Sequence, residues 1–460
     1  MSNQYHFIGI GGIGMGAIAS LLLSKGHRVS GSDVQENKIT QRLRKEGALI
    51  HIGHTAENVE GANVVIYSSA IKKDNPEFLK ARHLRLPIIK RAELLADLMR
   101  EHIGITIAGA HGKTTTTAMI SHLLTHAGLN PTTAVGGIVN NFQTNASLGT
   151  GRYFVSEVDE SDGSFLFFAP KYSIITNIDF EHVDYYHNWD NILKAYHQFM
   201  EKASIEGCNI IYGGDERLQK LSKEVNRFSQ TYGFSPDDDV YAKNIRTEAM
   251  TSIFECYHEN KCLGQIKINV PGTHNILNAL ACVSLGLKIS IPFDVIASSL
   301  ENYRGVQRRF QLKGDVGGIM VVDDYAHHPT EIRATLQAAQ KVKKKRIIAI
   351  FQPHRYTRLS SLQDEFAQSL LDCDSLIVTD VYAASEAPIL GVSSENLVAQ
   401  IQKISDKPVV YLKKDMIIEY ILKNISSGDL ILTMGAGDIT GVSEKIVEVL
   451  KNHLVEKNSS

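Results

Sequence analysis

Glycine, lysine and threonine stand together at Gly109-Ala110-His111-Gly112-Lys113-Thr114-Thr115, where side chains and bare backbone could act on phosphate. An apolar β-branched run, Ile105 to Ile107, leads into this stretch, and a periodic segment, Ala118 to Leu124, leads out of it. That order predicts strand, tight loop and helix. Such a loop gathers backbone N–H groups at the positive end of a helix dipole, where phosphate is favoured. Gly109 and Gly112 let the backbone approach phosphate oxygens, and Lys113 reaches the terminal phosphates of a nucleotide. The Thr114 hydroxyl suits a phosphate-bound magnesium ion. The stretch departs from the full nucleotide-loop motif at Ile107, where that motif has glycine.

Two apolar strands downstream end in acids. Tyr153 to Val155 runs into Glu157, Asp159, Glu160 and Asp162, and Ser173 to Ile175 runs into Asp179, Glu181 and His182. In open parallel sheets ligands bind outside the carboxyl ends of strands, which places these groups on the rim that carries Lys113. Hard oxygen ligands suit Mg²⁺, so Glu157 reads as a metal ligand or its supporting partner, with His182 a less usual addition. A solvated acidic turn also explains four carboxylates after a strand, and the pattern alone leaves both readings open.

A second glycine cluster, Gly9-Ile10-Gly11-Gly12-Ile13-Gly14, follows the apolar start Tyr5 to Ile8 and precedes an apolar helix. Arg28 to Asp33 then reads as a second strand ending in an acid. This is a dinucleotide-type fingerprint, with Asp33 near the position that meets a ribose or base, and alone it points to an NAD-dependent oxidoreductase. A third strand, Ala62 to Tyr67, ends in Ser68 and Ser69, whose hydroxyls either hold phosphate oxygens or simply end the strand.

The C-terminal third repeats the strand–helix alternation. Its strands end in Asp323-Asp324-Tyr325-Ala326-His327-His328-Pro329, in Gln352-Pro353-His354-Arg355-Tyr356-Thr357-Arg358 and in Gly435-Ala436-Gly437-Asp438. All three loops share one rim by the same rule. Pro329 fits a helix start, and Arg355 with Arg358 forms a two-fork anion clamp. Between the two α/β regions, alternating patterns from Tyr241 to Val270 predict antiparallel strands. A helix then carries the amides of Asn275 and Asn278 on one face, able to read a purine edge. Boundaries fall near Ile103–Gly104 and near Gly305 to Gln311. The regions are thus 1–103, 104–312 and 313–460 of an α/β chain.

Composition limits the alternatives. A chain of 460 residues, 43% hydrophobic and 21% charged, is globular, and a net charge of −2 gives no electrostatic case for nucleic acid. No apolar run spans a bilayer and the first residues lack a secretory signal, so a cytoplasmic protein without membrane attachment is expected. Five scattered cysteines read as reduced thiols.

Taken together, these motifs resemble the Mur ligases of bacterial cell-wall synthesis. They are Gly9 to Gly14, Ala110 to Thr116, Asp159 to Phe165, Thr176 to Asp179, His274-Asn275, Gly305 to Phe310, Asp324 to Pro329 and Phe351 to Arg358. The resemblance runs from about residue 5 to residue 440 in the family's order. It implies two Rossmann-like domains flanking a P-loop-type ATPase domain, and an ATP- and Mg²⁺-dependent amide-bond ligase that joins L-alanine to the lactyl carboxylate of UDP-N-acetylmuramic acid through an acyl phosphate. It also replaces NAD at the first glycine cluster by a UDP-sugar, held by Gly9, Gly11, Gly12, Ile13, Gly14, Asp33, Ser68 and Ser69. ATP would lie on Gly109 to Thr115 with Asn275, Arg309 and Asp324, and the metal on Thr114, Glu157 and His182. His327 or His328, with Arg355 and Arg358, would meet the reacting carboxylate and amino acid. Lys113, Glu157, His182, Arg309, His327 and His328 are the implied catalytic set. Domain closure and a monomer or weak homodimer are expected.

Two departures from the family stand out. Ala110 occupies a position usually held by threonine, and around the helix that carries a carbamylated lysine in sister ligases this chain reads Lys194-Ala-Tyr-His197. A sister activity that attaches a recycled tripeptide to the same sugar nucleotide is the nearest alternative. A non-catalytic nucleotide switch is the third, and it leaves the acid, histidine and arginine loops without a purpose.

Overall fold

A computed structural model describes residues 3–68, 71–343, 345–384 and 386–459. Three sheets organise the chain. The first is parallel, in the order β3-β2-β1-β4-β5, from β1 (Gln4–Ile8), β2 (Arg28–Asp33), β3 (Leu49–Ile52), β4 (Val64–Tyr67) and β5 (Ile88–Lys90). The order reverses direction at β1, so the loop after β1 opens on the crevice where such sheets bind ligands. The helix that follows, Ile13–Ser24, buries Met15 to Ala19, Leu21 and Leu22. The strand expected third in the chain is therefore the fourth, because the sequence reading passes over β3. Its four residues lie at a sheet edge, where Leu49 and Ile52 are exposed and no alternation marks them.

The central sheet has ten strands, in the order β15-β14-β13-β12-β11-β10-β6-β9-β7-β8. Its strands are β6 (Ile103–Ala108), β7 (Thr132–Val139), β8 (Thr144–Ser147), β9 (Tyr153–Glu157), β10 (Tyr172–Ile175), β11 (Cys208–Tyr212), β12 (Ser229–Gly233), β13 (Val240–Glu248), β14 (Thr251–His258) and β15 (Lys261–Ile268). From β12 to β7 neighbouring strands run parallel, and β8 is antiparallel to β7. The consequence for function lies at β6, which is paired to β9 on one side and β10 on the other. Three carboxyl ends meet there, one with the lysine loop and two with acids. Ile105, Ile107 and Ala108 are fully buried, as a parallel strand covered on both faces requires.

The third sheet runs β16-β17-β21-β18-β19-β20, from β16 (Gln311–Val316), β17 (Ile319–Asp324), β18 (Ile347–Phe351), β19 (Ser375–Val378), β20 (Val409–Tyr411) and β21 (Leu430–Met434). Only β16 is antiparallel. Here too β17, β21 and β18 are adjacent, which brings the loops beginning at Asp324, Gly435 and Gln352 side by side.

Contacts divide the chain into two compact units. One is Met1–Asn244 with Glu255–Ile266 and Leu277–Arg304, and the other is Ile245–Phe254 with Lys267–Ile276 and Gly305–Ser460. No described helix is long and apolar enough to cross a membrane.

Candidate active site

In the first unit the phosphate loop bridges β6 and the helix Lys113–His126, with Gly112 as its left-handed N-cap at φ 84°. Glycine is required at both ends of the loop. A Cβ on Gly109, at φ 126°, would meet Thr176 Oγ1 at 2.2 Å, and one on Gly112 would meet Asn278 Oδ1 at 2.6 Å. The residues after β10 hold the loop in place. Asn177 Oδ1 accepts the His111 N–H at 2.9 Å, and the Thr176 hydroxyl donates to the His111 carbonyl at 2.6 Å. Helix residues Thr116 and Thr117 satisfy their hydroxyls on Asn278 Oδ1 and on the Lys113 carbonyl.

Lys113 Nζ donates to the Gly109 and Ala110 carbonyls and to Glu160 Oε1, the last at 2.8 Å. Burial alone would lower its pKa, but Glu160 in contact and Asp159 and Glu157 nearby outweigh that and raise it, so the ammonium stays charged. Thr114 Oγ1 donates to Glu157 Oε2 at 2.8 Å. The Glu157 carboxylate fits only because residue 136 is glycine, since a Cβ there would lie 1.7 Å from Glu157 Oε1.

His182 lies 3.7 Å from Glu160 Oε1 and 3.7 Å from Glu181 Oε2. Burial opposes its protonation, yet contact with Glu160 raises its pKa. Thr114 and Glu157 thus form one couple, while His182 joins Glu160 and Glu181, whose ligand atoms lie within 4.8 Å of one another with those of His182. A divalent cation suits this set. Among the described residues, the buried Glu160 Oε2 has no hydrogen-bond partner, and carboxylate oxygens with one imidazole suit a hard ion. Asp179 pairs with His111 at 3.1 Å instead. Asp159 accepts the Ser161 N–H and lies 3.7 Å from Arg91. Against the effect of burial, these contacts and Lys113 hold its pKa below the usual carboxylate value.

The first glycine cluster is built in the same way. The Gly9 and Ile10 N–H groups donate to the Ser32 carbonyl, and Gly11 N–H donates to Asp33 Oδ2 at 2.8 Å. Asp33 therefore shapes the loop with one carboxylate oxygen. Gly12 caps the helix that begins at Ile13, which is 42% exposed, and a Cβ on Gly14 would meet Arg91 Nη1 at 2.7 Å. Ser68 Oγ lies 3.7 Å from a Cβ built on Gly9, while Ser69 lies outside the described residues.

In the second unit Asp324, buried after β17, accepts the Phe310 and Ala326 N–H groups at 2.7 Å each. Burial raises its pKa to about 6 against the opposing charge of Arg309. Arg309 stacks over Tyr325 and lies 3.8 Å from Glu331, and Asn275 Nδ2 donates to the Pro271 carbonyl. His328 is the buried N-cap residue before Pro329. His327 bonds the Tyr325 carbonyl and packs edge-on to His354, with ring centres 5.7 Å apart. His354 stacks on Tyr382 and faces Arg358 Nη1 at 3.2 Å. Burial, then His327 and the surrounding arginines, push the His354 pKa down to about 3, so the ring is neutral and Nδ1 accepts from Arg358. Arg355 takes φ 69° and donates its N–H to the Tyr382 carbonyl.

The structure thus groups Lys113, Thr114, Glu157 and His182 in one unit and Arg309, Asp324, His327, Arg355 and Arg358 in the other. The sequence reading missed Glu160 and Glu181 as site residues, along with Arg308, which donates to the Gly435 and Gly437 carbonyls, His354 and Tyr382. The run of four acids did flag Glu160, but nothing in one strand-end loop says which acid faces a lysine in another.

Family models match in order along the chain: the Mur ligase family catalytic domain over residues 4–103, the Mur ligase middle domain over 107–286, and the Mur ligase glutamate ligase domain over 308–437. A protein of Geotalea daltonii named UDP-N-acetylmuramate–L-alanine ligase is 44% identical over 97% of this chain and 98% of its own length. A protein of the same name from Desulfatibacillum aliphaticivorans is 46% identical, over 96% and 97%. The solved UDP-N-acetylmuramate–alanine ligase of Thermotoga maritima superposes with a TM-score of 0.85 at 32% identity, covering 98% of this chain and 99% of that one. A murein peptide ligase from Psychrobacter arcticus shares the fold, with a TM-score of 0.74 at 24% identity over 98% and 99%. Three successive matches and relatives of this identity along nearly the whole length place the chain in the Mur ligase family.

Proposed function

We propose that the chain is an ATP-dependent ligase forming the amide between L-alanine and the lactyl carboxylate of UDP-N-acetylmuramic acid, in the cytoplasmic synthesis of peptidoglycan precursor. The observation that carries this is the meeting of Lys113, Thr114, Glu157, Glu160 and His182 at three neighbouring strand ends, in a chain whose relatives bear that name.

A carboxylate resists amines because its leaving group would be oxide. Transfer of the terminal phosphoryl group of ATP to the lactyl carboxylate, with ADP leaving, makes phosphate the leaving group instead. The neutral amine of L-alanine then adds to the acyl carbon, and the tetrahedral adduct expels phosphate, which takes up the proton that the nitrogen loses. Two anions meet in the first step, so charge neutralisation and alignment carry the catalysis. Lys113 supplies one positive charge at the start of its helix, whose first-turn N–H groups have no partner within the helix, while Asn177 holds the N–H groups of Ala110 and His111. Thr114, Glu157 and His182 would hold Mg²⁺, with Glu160 and Glu181 as oxygen donors beside His182; when bound, it neutralises phosphate charge. Ile13 and Gly14 open the helix and offer backbone donors to the UDP diphosphate, while Gly9, Gly11 and Gly12, whose N–H groups are used within the loop, let the backbone come close to it, with Asp33, Ser68 and Ser69 around it. In the second unit Arg309, Asn275 and Asp324 serve the nucleotide. Arg355 and Arg358 serve the carboxylate, with His327 and His328 beside them. Regions 1–103, 104–312 and 313–460 divide these tasks among sugar nucleotide, ATP and amino acid.

Phosphate release from ATP and Mg²⁺ with UDP-N-acetylmuramic acid tests the reading. Release that depends on L-alanine is expected. Release only with the tripeptide L-alanyl-γ-D-glutamyl-diamino acid would transfer the chain to the recycling activity.

A further inference from the structure

Beneath the first glycine loop lies a closed polar group that none of the assigned roles uses. Glu77, in the first turn of helix Pro76–His83, has a side chain 0% exposed. Its Oε2 accepts the Ser32 hydroxyl at 2.6 Å and faces His6 Nε2 at 3.3 Å. Its Oε1 accepts Asn58 Nδ2 at 2.7 Å and lies 3.4 Å from His54 Nδ1. His6 Nδ1 in turn meets Ser30 Oγ at 2.9 Å, and His54 Nδ1 meets Ser32 Oγ at 3.0 Å. One carboxylate therefore ties together β1, β2, the residues after β3 and a helix start. Burial would raise its pKa, but bonds from His6, Ser32 and Asn58 lower it, so the carboxylate is ionised and accepts throughout.

The proton count then fixes the direction of each bond. Ser32 has one hydroxyl hydrogen, and the 2.6 Å contact gives it to Glu77. The Ser32 oxygen must then accept from His54, so His54 carries a hydrogen on Nδ1. His54 and Asn58 are the members of the group that reach solvent, the His54 side chain 16% exposed against 0% for Glu77 and His6. Ser32 is also the residue whose carbonyl holds the Gly9 and Ile10 N–H groups, and its neighbour Asp33 holds Gly11. The group thus grips both the floor of the glycine loop and, through Nδ1, the His54 ring at the sheet's carboxyl rim.

We propose that Glu77 is a positioning residue for the UDP half of the sugar nucleotide, seating Ser32 under the glycine loop and fixing the His54 ring through its Nδ1–H without touching ligand. This rests on the reading of that loop as the sugar-nucleotide site. Glu77→Gln is the informative change, because its amide can donate where the carboxylate only accepts. Ser32 would then release its hydrogen to His54, whose Nδ1 would have to become the acceptor.

The test combines calorimetric binding of UDP to the full chain with ¹⁵N histidine spectra and steady-state kinetics. For Glu77→Gln we expect the UDP Kd and the KM for UDP-N-acetylmuramic acid to rise together by about tenfold, the scale of one hydrogen bond to a charged group. The KM for ATP should stay at the wild-type value, and the His54 signal should move from the Nδ1–H to the Nε2–H pattern. Ser32→Ala, which leaves Glu77 in place, should weaken UDP in the same direction and serves if Glu77→Gln fails to fold. An unchanged UDP Kd in a folded variant, or a KM for ATP that rises equally, overturns the inference. A wild-type chain that does not bind UDP at all removes the site reading beneath it.

Discussion

Replacing Lys113 by methionine should cost activity and stability for different reasons, and the two losses can be separated. The ammonium sits on two loop carbonyls and on Glu160, whose side chain is 5% exposed against 20% for the lysine. Removing it leaves a buried carboxylate with one oxygen already unpartnered among the described residues. Breaking a fully buried pair costs about 3–5 kcal/mol. Because the lysine is partly wet, we expect about 2 kcal/mol here. Activity should fall further, by about 10²–10³ in turnover, since a positive charge aimed at the transferring phosphoryl group is lost. The double variant Lys113→Met, Glu160→Gln removes the stranded charge and should recover most of the stability but none of the activity. Urea unfolding followed by tryptophan fluorescence reads the first loss, because Trp189, the chain's only tryptophan, packs against the central core, and phosphate release reads the second. A single variant with near-wild-type turnover would refute the assignment of Lys113. A double variant as unstable as the single one would refute the account of Glu160.

Two further outcomes follow from local geometry. Gly136→Ala places a methyl 1.7 Å from Glu157 Oε1, so the carboxylate must leave Thr114; turnover should fall at least about tenfold and the Mg²⁺ concentration for half-maximal rate should rise, as a titration of phosphate release with Mg²⁺ would show. His122, buried against Ser299 and Asn141, has its pKa pushed from 6.5 to about 4 by burial, with His126 adding to the effect. A pKa depressed in the folded state gives stability that is present above pH 6.5 and lost as pH falls towards about 4, because the unfolded chain binds the extra proton. His122→Gln should therefore flatten the fall in unfolding free energy across that window by about one proton, measured by urea titrations at several pH values.

The glycine loops were legible because they combine two signals that reinforce each other, a buried-type strand and glycines where φ must be positive. The threonine run was harder. Thr114 to Thr117 are β-branched and poor helix formers, so periodicity places a helix only from Ala118, yet the helix begins at Lys113. Tertiary and local bonds, Thr116 to Asn278 and Thr117 to the Lys113 carbonyl, offset the propensity. Likewise the sequence pattern reads as one helix from Leu359 to Leu371, whereas two form, Tyr356–Ser361 and Gln363–Ser369, broken at Leu362 with φ −126°. The pairing of Lys113 with Glu160 and of Gln352 with Asp438 was beyond reach for a common reason. Each depends on strand order, which places residues distant in sequence on adjacent strand ends, and spacing along one chain carries no record of that order.

Gly136 bears on how the site can drift through generations. It has no reactive atom and a sequence reading gives it no role, yet the smallest possible side chain there would displace a carboxylate. Gly109 and Gly112 stand in the same relation to Thr176 and Asn278. The freedom of this site to vary is therefore limited first by volume and only then by chemistry. A designer wishing to alter its nucleotide preference would have to open space around the loop before changing any group that carries charge.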